Sequence, residues 1–170
     1  MKKFTVILVM SLMGSHAVNA KPLPAVTKLK LVELSFKSKI SSREVIDLGK
    51  PGGSIGDIVS GNGDVLDLAG NVIGGVEYLG TVTHLKTDSE FRWLQSEYFF
   101  GDGTDSILMQ GAEEFQTPSG LPVLNRPQNF SITGGTGKYF GANGQCFVKR
   151  TEASNFITTC LFSVLKLPNQ

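Results

Sequence analysis

Histidine is the scarcest versatile side chain in this 170-residue sequence, with only His16 and His84 present. A metal centre built on several histidines is therefore excluded, and no metal site is expected. Any Ser-His-Asp arrangement in the body of the chain would have to use His84. That residue falls near the end of a predicted strand and reads as a rim or surface side chain. An excess of one charge sign is also missing. Sixteen Lys and Arg stand against fifteen Asp and Glu, for a net +1. So balanced a chain carries no electrostatic footprint for nucleic acid. Lys28, Lys30, Lys37 and Lys39 cluster modestly and suit a solvated strand edge better than a polyanion site. Long helical patterns with caps are absent after the first twenty residues, as are low-complexity segments and repeats.

Those first twenty residues have a recognisable order. Lys2 and Lys3 form a basic start. Phe4 to Met13 is apolar but too short to cross a bilayer. Ala17, Val18, Asn19 and Ala20 then place small or permissive residues where a signal peptidase reads. Residues 1–20 are expected to be a secretory signal peptide. The alternative, a stable membrane anchor, is disfavoured by the shortness of the apolar run, and no cysteine follows it, so a lipid-modified terminus is not indicated. Cleavage after Ala20 leaves residues 21–170 as one domain, long enough to bury a core. Losing Lys2 and Lys3 brings the net charge to about −1. The short signal suits a bacterial exported protein of the periplasm or extracellular space. Cys146 and Cys160 lie in this part, where an oxidising compartment permits a bridge. A hairpin folded about Ala153 sets them opposite each other, which favours a cross-strand disulfide over two buried thiols.

What fills the chain is a succession of short strand-like runs bounded by Gly, Asp, Asn and Pro. Residues 29–39 alternate, with Leu29, Leu31 and Glu33 on one face and Val32, Leu34 and Phe36 on the other. Residues 41–54 read as a polar, Gly-rich connection. Further strands are expected at 57–66, 72–85, 90–100, 106–115, 128–133, 145–150 and 156–165. Residues 116–126 form a surface crossing. Gly74, Gly75 and Gly80 mark bends or bulges in the long third strand. Eight strands in one domain is the number at which a closed antiparallel barrel just encloses side chains or one small ligand.

The Gly-rich run Ile132-Thr-Gly-Gly-Thr-Gly137 superficially suggests a phosphate loop. It lacks the Gly-Lys-Ser/Thr order, since Tyr139 follows Lys138, and no helix follows to aim its N–H groups at a phosphate. It reads as a tight strand connection that needs positive φ. Asp57 and Asp102 each follow a glycine at a turn and are expected to accept backbone N–H groups there. Glu113 and Glu114 are strand neighbours that point to opposite faces, so they do not form a catalytic pair. Trp93, Tyr98, Phe99 and Phe100 suit barrel packing or a subunit contact better than ligand stacking. Glu33 stands in an otherwise apolar strand. Turned inward it would be a carboxyl in an apolar cavity, with a raised pKa and the capacity to hold an oxygen or move a proton. Turned outward it would meet solvent or a lysine.

Three elements occur in order: Ser54-Ile-Gly-Asp57 before an apolar strand; Tyr98-Phe-Phe-Gly-Asp102, then Met109-Gln-Gly111; and Ile132-Thr-Gly-Gly-Thr-Gly137, then Gly141-Ala-Asn-Gly-Gln145. This succession resembles the allene oxide cyclase barrel family and, more distantly, the dirigent proteins, over residues 29–166. The resemblance implies an all-β fold, a single eight-stranded antiparallel barrel with a largely apolar cavity, commonly in small homo-oligomers. It implies an isomerase or cyclase that steers a hydrophobic lipid-like or polyketide-like molecule and needs no cofactor. The alternative is a non-catalytic exported protein that binds such a molecule, or a dirigent-like one. Glu33 falls at the position of the family's functional glutamate, which makes it the catalytic candidate. Ser35 and Asn62 fall at or beside ligand-contacting positions. The pattern departs elsewhere: Ser35 replaces an asparagine, Ser41 and Ser42 replace a Ser-Pro pair, and Gly80 or Thr81 replaces a cysteine.

Overall fold

A computed structural model describes residues 28–166; the expected signal peptide lies outside them. Nine strands run in chain order: β1 (Lys28–Ile46), β2 (Ile58–Leu66), β3 (Val72–Leu85), β4 (Ser89–Phe100), β5 (Asp105–Gln116), β6 (Leu121–Pro122), β7 (Pro127–Gly135), β8 (Asn143–Arg150) and β9 (Asn155–Lys166). Every pairing is antiparallel. The sheet order β4-β3-β2-β1-β9-β8-β7-β5 is closed by a β4–β5 ladder, so eight strands form a ring. The two-residue β6 hangs on the end of β5. Closure leaves no free edge among the eight.

The strands form where alternation, turns and β-branched residues place them, and the differences from expectation lie at residues 41–46, in the crossing after β5 and at the end of β7. Residues 41–46 belong to β1. After an irregularity at Ser41, Ser42 to Ile46 pair with Asn62 to Ile58. All six side chains are exposed, so the ladder rather than an apolar face holds this part, and no hydrophobic period announces it. The crossing after β5 also contributes the short β6. In β3, register shifts occur after Val72 and after Val82. Gly74 sits beside the first shift, where an added Cβ would run into the carbonyl oxygen of Phe99.

Cys146 and Cys160 are paired across β8 and β9 and form a disulfide between fully buried positions. After β7 the chain makes only a single 3-10 turn, Gly137–Tyr139, with Gly137 at φ +54° and Gly141 at φ +68°. Lys138 Nζ is tied to Asp105 at 2.7 Å. The Gly-rich run is thus only in part the tight connection expected of it: residues 132–135 belong to β7, where Gly134 and Gly135 pair with Leu108 and Ile107, and the positive-φ turn begins at Gly137.

Side chains that point inward divide the interior along its length. The end near the 3-10 turn is filled by Phe36, Phe100, Tyr139 and Phe162, with ring centroids 5.4–5.8 Å apart in successive edge-on or tilted contacts. Such geometry is favoured by the ring quadrupoles. This is the floor. The opposite end, where β1 and β5 finish and β4 and β9 begin, is the mouth. There the inward positions carry Glu90, Arg92 and Glu113 among apolar neighbours.

Candidate functional site

The mouth half of the barrel holds a cavity of about 180 Å³. Its walls are built by strand alternation. From β4, every second residue from Arg92 through Leu94 and Ser96 to Tyr98 faces it, and from β5 Met109, Glu113 and Phe115 do so. Phe130, Val148 and Phe156 close the far side, and Gly120, Leu121 and Pro122 of the surface crossing reach over the rim.

Glu113 is the chemical centre of this space. It is 5% exposed, and burial pushes its carboxyl up to about 8, with the positive charges of Arg92 and Arg126 offsetting only part of that cost. A carboxyl so placed is neutral at pH 7 and carries an O–H donor. Tyr98, fully enclosed, has its phenol pushed by burial up to about 12, so it too remains a donor. Burial likewise raises the phenol of Tyr78, which lines the same cavity. Arg92 is accounted for differently. Its Nε donates to Glu90 Oε1 at 2.6 Å and its Nη2 donates to the same oxygen. Its guanidinium lies 4.1 Å from the centroid of Phe115. The pair brings a cation and an anion inside together, which avoids the large cost of either alone.

Arg43, exposed on the rim, donates from Nη1 to the carbonyl oxygens of Gly120 at 3.0 Å and Ser119 at 3.4 Å. Gly120 has φ +60°, and a Cβ there would meet the Arg43 guanidinium. Glycine at this position is what lets the crossing approach the rim so closely.

The residues expected from the sequence lie elsewhere. Glu33 is exposed on the outer wall, opposite Leu161 of β9. Phe36 and Ser38 are the buried members of β1, and the period of two then sends Glu33, Ser35 and Lys37 outward. The inward placement considered for Glu33 is therefore not found. Ser35 Oγ donates to Thr159 Oγ1 at 3.2 Å on that outer wall. Asn62 is exposed and paired with Ser42 and Glu77. None of the three lines the cavity. Asp57 and Asp102 serve turns: Asp57 accepts from Leu48 N, Ser54 N and Ser54 Oγ, and Asp102 accepts from Thr104 N and Oγ1. His84 is exposed near its strand end against Phe91.

Sequence reasoning passed over Glu113, although a signal for it was present. It shares the parity of Ile107, Met109 and Phe115, the buried face of β5. Glu90 and Arg92 likewise share the parity of Leu94, Tyr98 and Phe100 in β4.

No family model matches the sequence, and no curated protein matches it. Solved structures do. The chain is similar to a pterocarpan synthase dirigent protein, with a TM-score of 0.63 at 12% identity over 89% of this chain and 99% of that one. It is similar to a pyocyanin demethylase, with a TM-score of 0.61 at 21% identity over 76% and 99%. A Diels-Alderase from Streptomyces koyangensis matches with a TM-score of 0.54 at 19% identity over 84% and 70%. At such identities the likeness is one of fold.

Proposed function

From a barrel of the allene oxide cyclase and dirigent-like type, we propose that the chain encloses a hydrophobic small molecule and steers its intramolecular rearrangement, as an isomerase or cyclase. The observation that carries this reading is Glu113, a carboxyl held neutral inside a cavity with mostly apolar walls. A neutral acid and neutral phenols on the walls of one cavity offer hydrogen-bond donors to a guest oxygen on which negative charge develops. A carboxylic acid kept protonated by an apolar site is an established way to supply such a donor at neutral pH. The walls hold the reacting atoms of a guest in a fixed mutual orientation, and that alignment lowers the barrier to rearrangement. The names of the similar barrels support the same direction, since they include a dirigent protein and a Diels-Alderase.

Glu113 takes the role that the sequence suggested for Glu33. Export belongs to this reading and rests on residues 1–20, with which the disulfide agrees. So does assembly of several copies. Leu31 and Leu161 are diagonal neighbours on adjacent strands of the outer wall and are 70% and 53% exposed. Sedimentation of the purified protein at monomer mass would remove the assembly.

The test is a native mass spectrum of the full protein purified from its producing cells, followed by chromatography of the released guest. Wild type is expected to release a rearranged isomer, and Glu113→Gln the unrearranged compound of the same mass. The same compound from both makes the barrel a carrier. The absence of any guest, together with failure to bind an apolar dye, removes the reading altogether.

A further inference from the structure

The cavity also constrains what enters it, a step that rests on the reading just given. Its size is the first constraint. About 180 Å³ is only modestly larger than the roughly 150 Å³ engineered apolar cavity, in another protein, that holds benzene. One or two fused rings suit it; a long flexible chain would also lose more freedom on confinement. The second constraint is the wall chemistry. Tyr78, Tyr98, Phe115, Phe130 and Phe156 surround the space and present ring faces and edges suited to another ring.

The third constraint is charge. Arg92 is neutralised by Glu90, and the buried Glu113 carboxyl is uncharged at neutral pH. Arg43 is the remaining cation among the cavity-lining residues. Its hydrogen bonds among the described residues go to carbonyl oxygens, which leave its charge uncompensated. A guanidinium carries five N–H donors in a fork that matches a carboxylate. One uncompensated positive charge at the rim balances one negative charge, whereas a doubly charged phosphate would leave an excess.

We infer that the guest is a compact aromatic carboxylate, its ring system inside the aromatic walls and its carboxylate at the rim on Arg43. The Arg43 fork then does two things: it anchors the ligand and ties down the Ser119–Gly120 crossing over it.

The experiment titrates the full purified protein by calorimetry at neutral pH with three probes: 2-naphthoate, the neutral 2-naphthalenemethanol of matched shape, and the flexible anion decanoate. Naphthoate is expected to bind at least ten-fold tighter than either of the others. Arg43→Gln is expected to abolish the preference for the anion, and Arg43→Lys, which retains the charge but not the fork, to keep part of it. Unaltered thermal unfolding of both variants shows that the mouth has not collapsed. Equal binding of naphthoate and naphthalenemethanol overturns the anionic requirement while leaving an occupied hydrophobic barrel in place. Tighter binding of decanoate overturns the aromatic requirement. If none of the three binds while an apolar dye still does, the inference falls and the proposed function stands; if the dye also fails to bind, both fall.

Discussion

The floor and the mouth of this barrel are made by the same strands and carry opposite contents. Along β4 the inward positions begin with Glu90 and Arg92 and end with Tyr98 and Phe100; along β5 they run from Ile107 and Met109 to Glu113 and Phe115. At the floor the rings of Phe36, Phe100, Tyr139 and Phe162 fill the space. At the mouth the same sheet buries an ion pair, a neutral acid and an unfilled volume of about 180 Å³. Filled apolar space stabilises the fold, whereas buried ionisable groups and open volume cost stability. The contrast separates the half that holds the protein together from the half available for chemistry. It also explains how one closed sheet tolerates a destabilising interior at one end.

The largest effect expected from this division comes from the floor. Phe162 is 1% exposed and packs on Tyr139, so Phe162→Ala should destabilise by about 3–5 kcal/mol in urea unfolding. Guest affinity should change little, because Phe162 does not line the cavity. A loss below about 1 kcal/mol, or a loss of binding exceeding the loss of stability, would break the division.

Next in size, and of opposite sign, is Glu113→Gln. The folded carboxyl titrates near 8 against an ordinary value of 4.5. Below 4.5 both folded and unfolded states hold the proton. Between 4.5 and about 8 only the folded state holds it, so stability falls as pH rises, at about 1.4 kcal/mol per unit. Above about 8 the loss is complete. The amide of the variant does not titrate, so the variant should gain on wild type across that window and lead by roughly 3 kcal/mol at pH 7. Urea curves at about pH 5, 7 and 9 measure it; a flat wild-type profile would mean that Glu113 is not held neutral.

Much of this architecture is legible in the sequence because strands, turns and barrel closure depend on local patterns. The alternation of Val32, Leu34 and Phe36 fixes the inner face of β1, and the symmetry of Cys146 and Cys160 about Ala153 fixes the β8–β9 register. The extension of β1 through Ile46 was not legible, because its six side chains are exposed and it is held by backbone pairing with β2 and by the Arg43 bonds to the crossing, neither of which leaves a hydrophobic period. The acid of the cavity was missed for another reason. Glu33 attracted attention as a charge in an apolar run, although its own parity sets it with Leu29 and Leu31, the outer set. The parity of Glu113 sets it with Ile107 and Met109, but the two glutamates were weighed only as a pair, and their opposite faces, which exclude a pair, were not followed to the one that turns inward. The face a residue shares, read across a whole strand, is a better guide to a buried acid than the hydrophobicity of its immediate neighbours.

That neighbour supplies the smallest expected effect and the sharpest control. Glu114 points to the outer wall, where its carboxylate accepts from Arg126 Nη1 at 2.7 Å, Ser89 Oγ at 2.9 Å and Lys86 Nζ at 3.1 Å. These bonds, that of Arg126 foremost, hold it down to about 2. A depressed carboxylate contributes stability fully above the ordinary value of 4.5 and loses it as pH falls toward 2. Solvent screens such an outer network, so Glu114→Gln should shift the unfolding midpoint at pH 7 far less than Glu113→Gln, and in the opposite direction. Carbon-13 titration of the two side-chain carboxyls tests the same contrast without substitution. Glu113 and Glu114 should bracket the ordinary glutamate range from above and below. Coincident titration of the two would mean that the period of two does not separate their environments, and the distinction between the inner and outer faces of β5 would be lost.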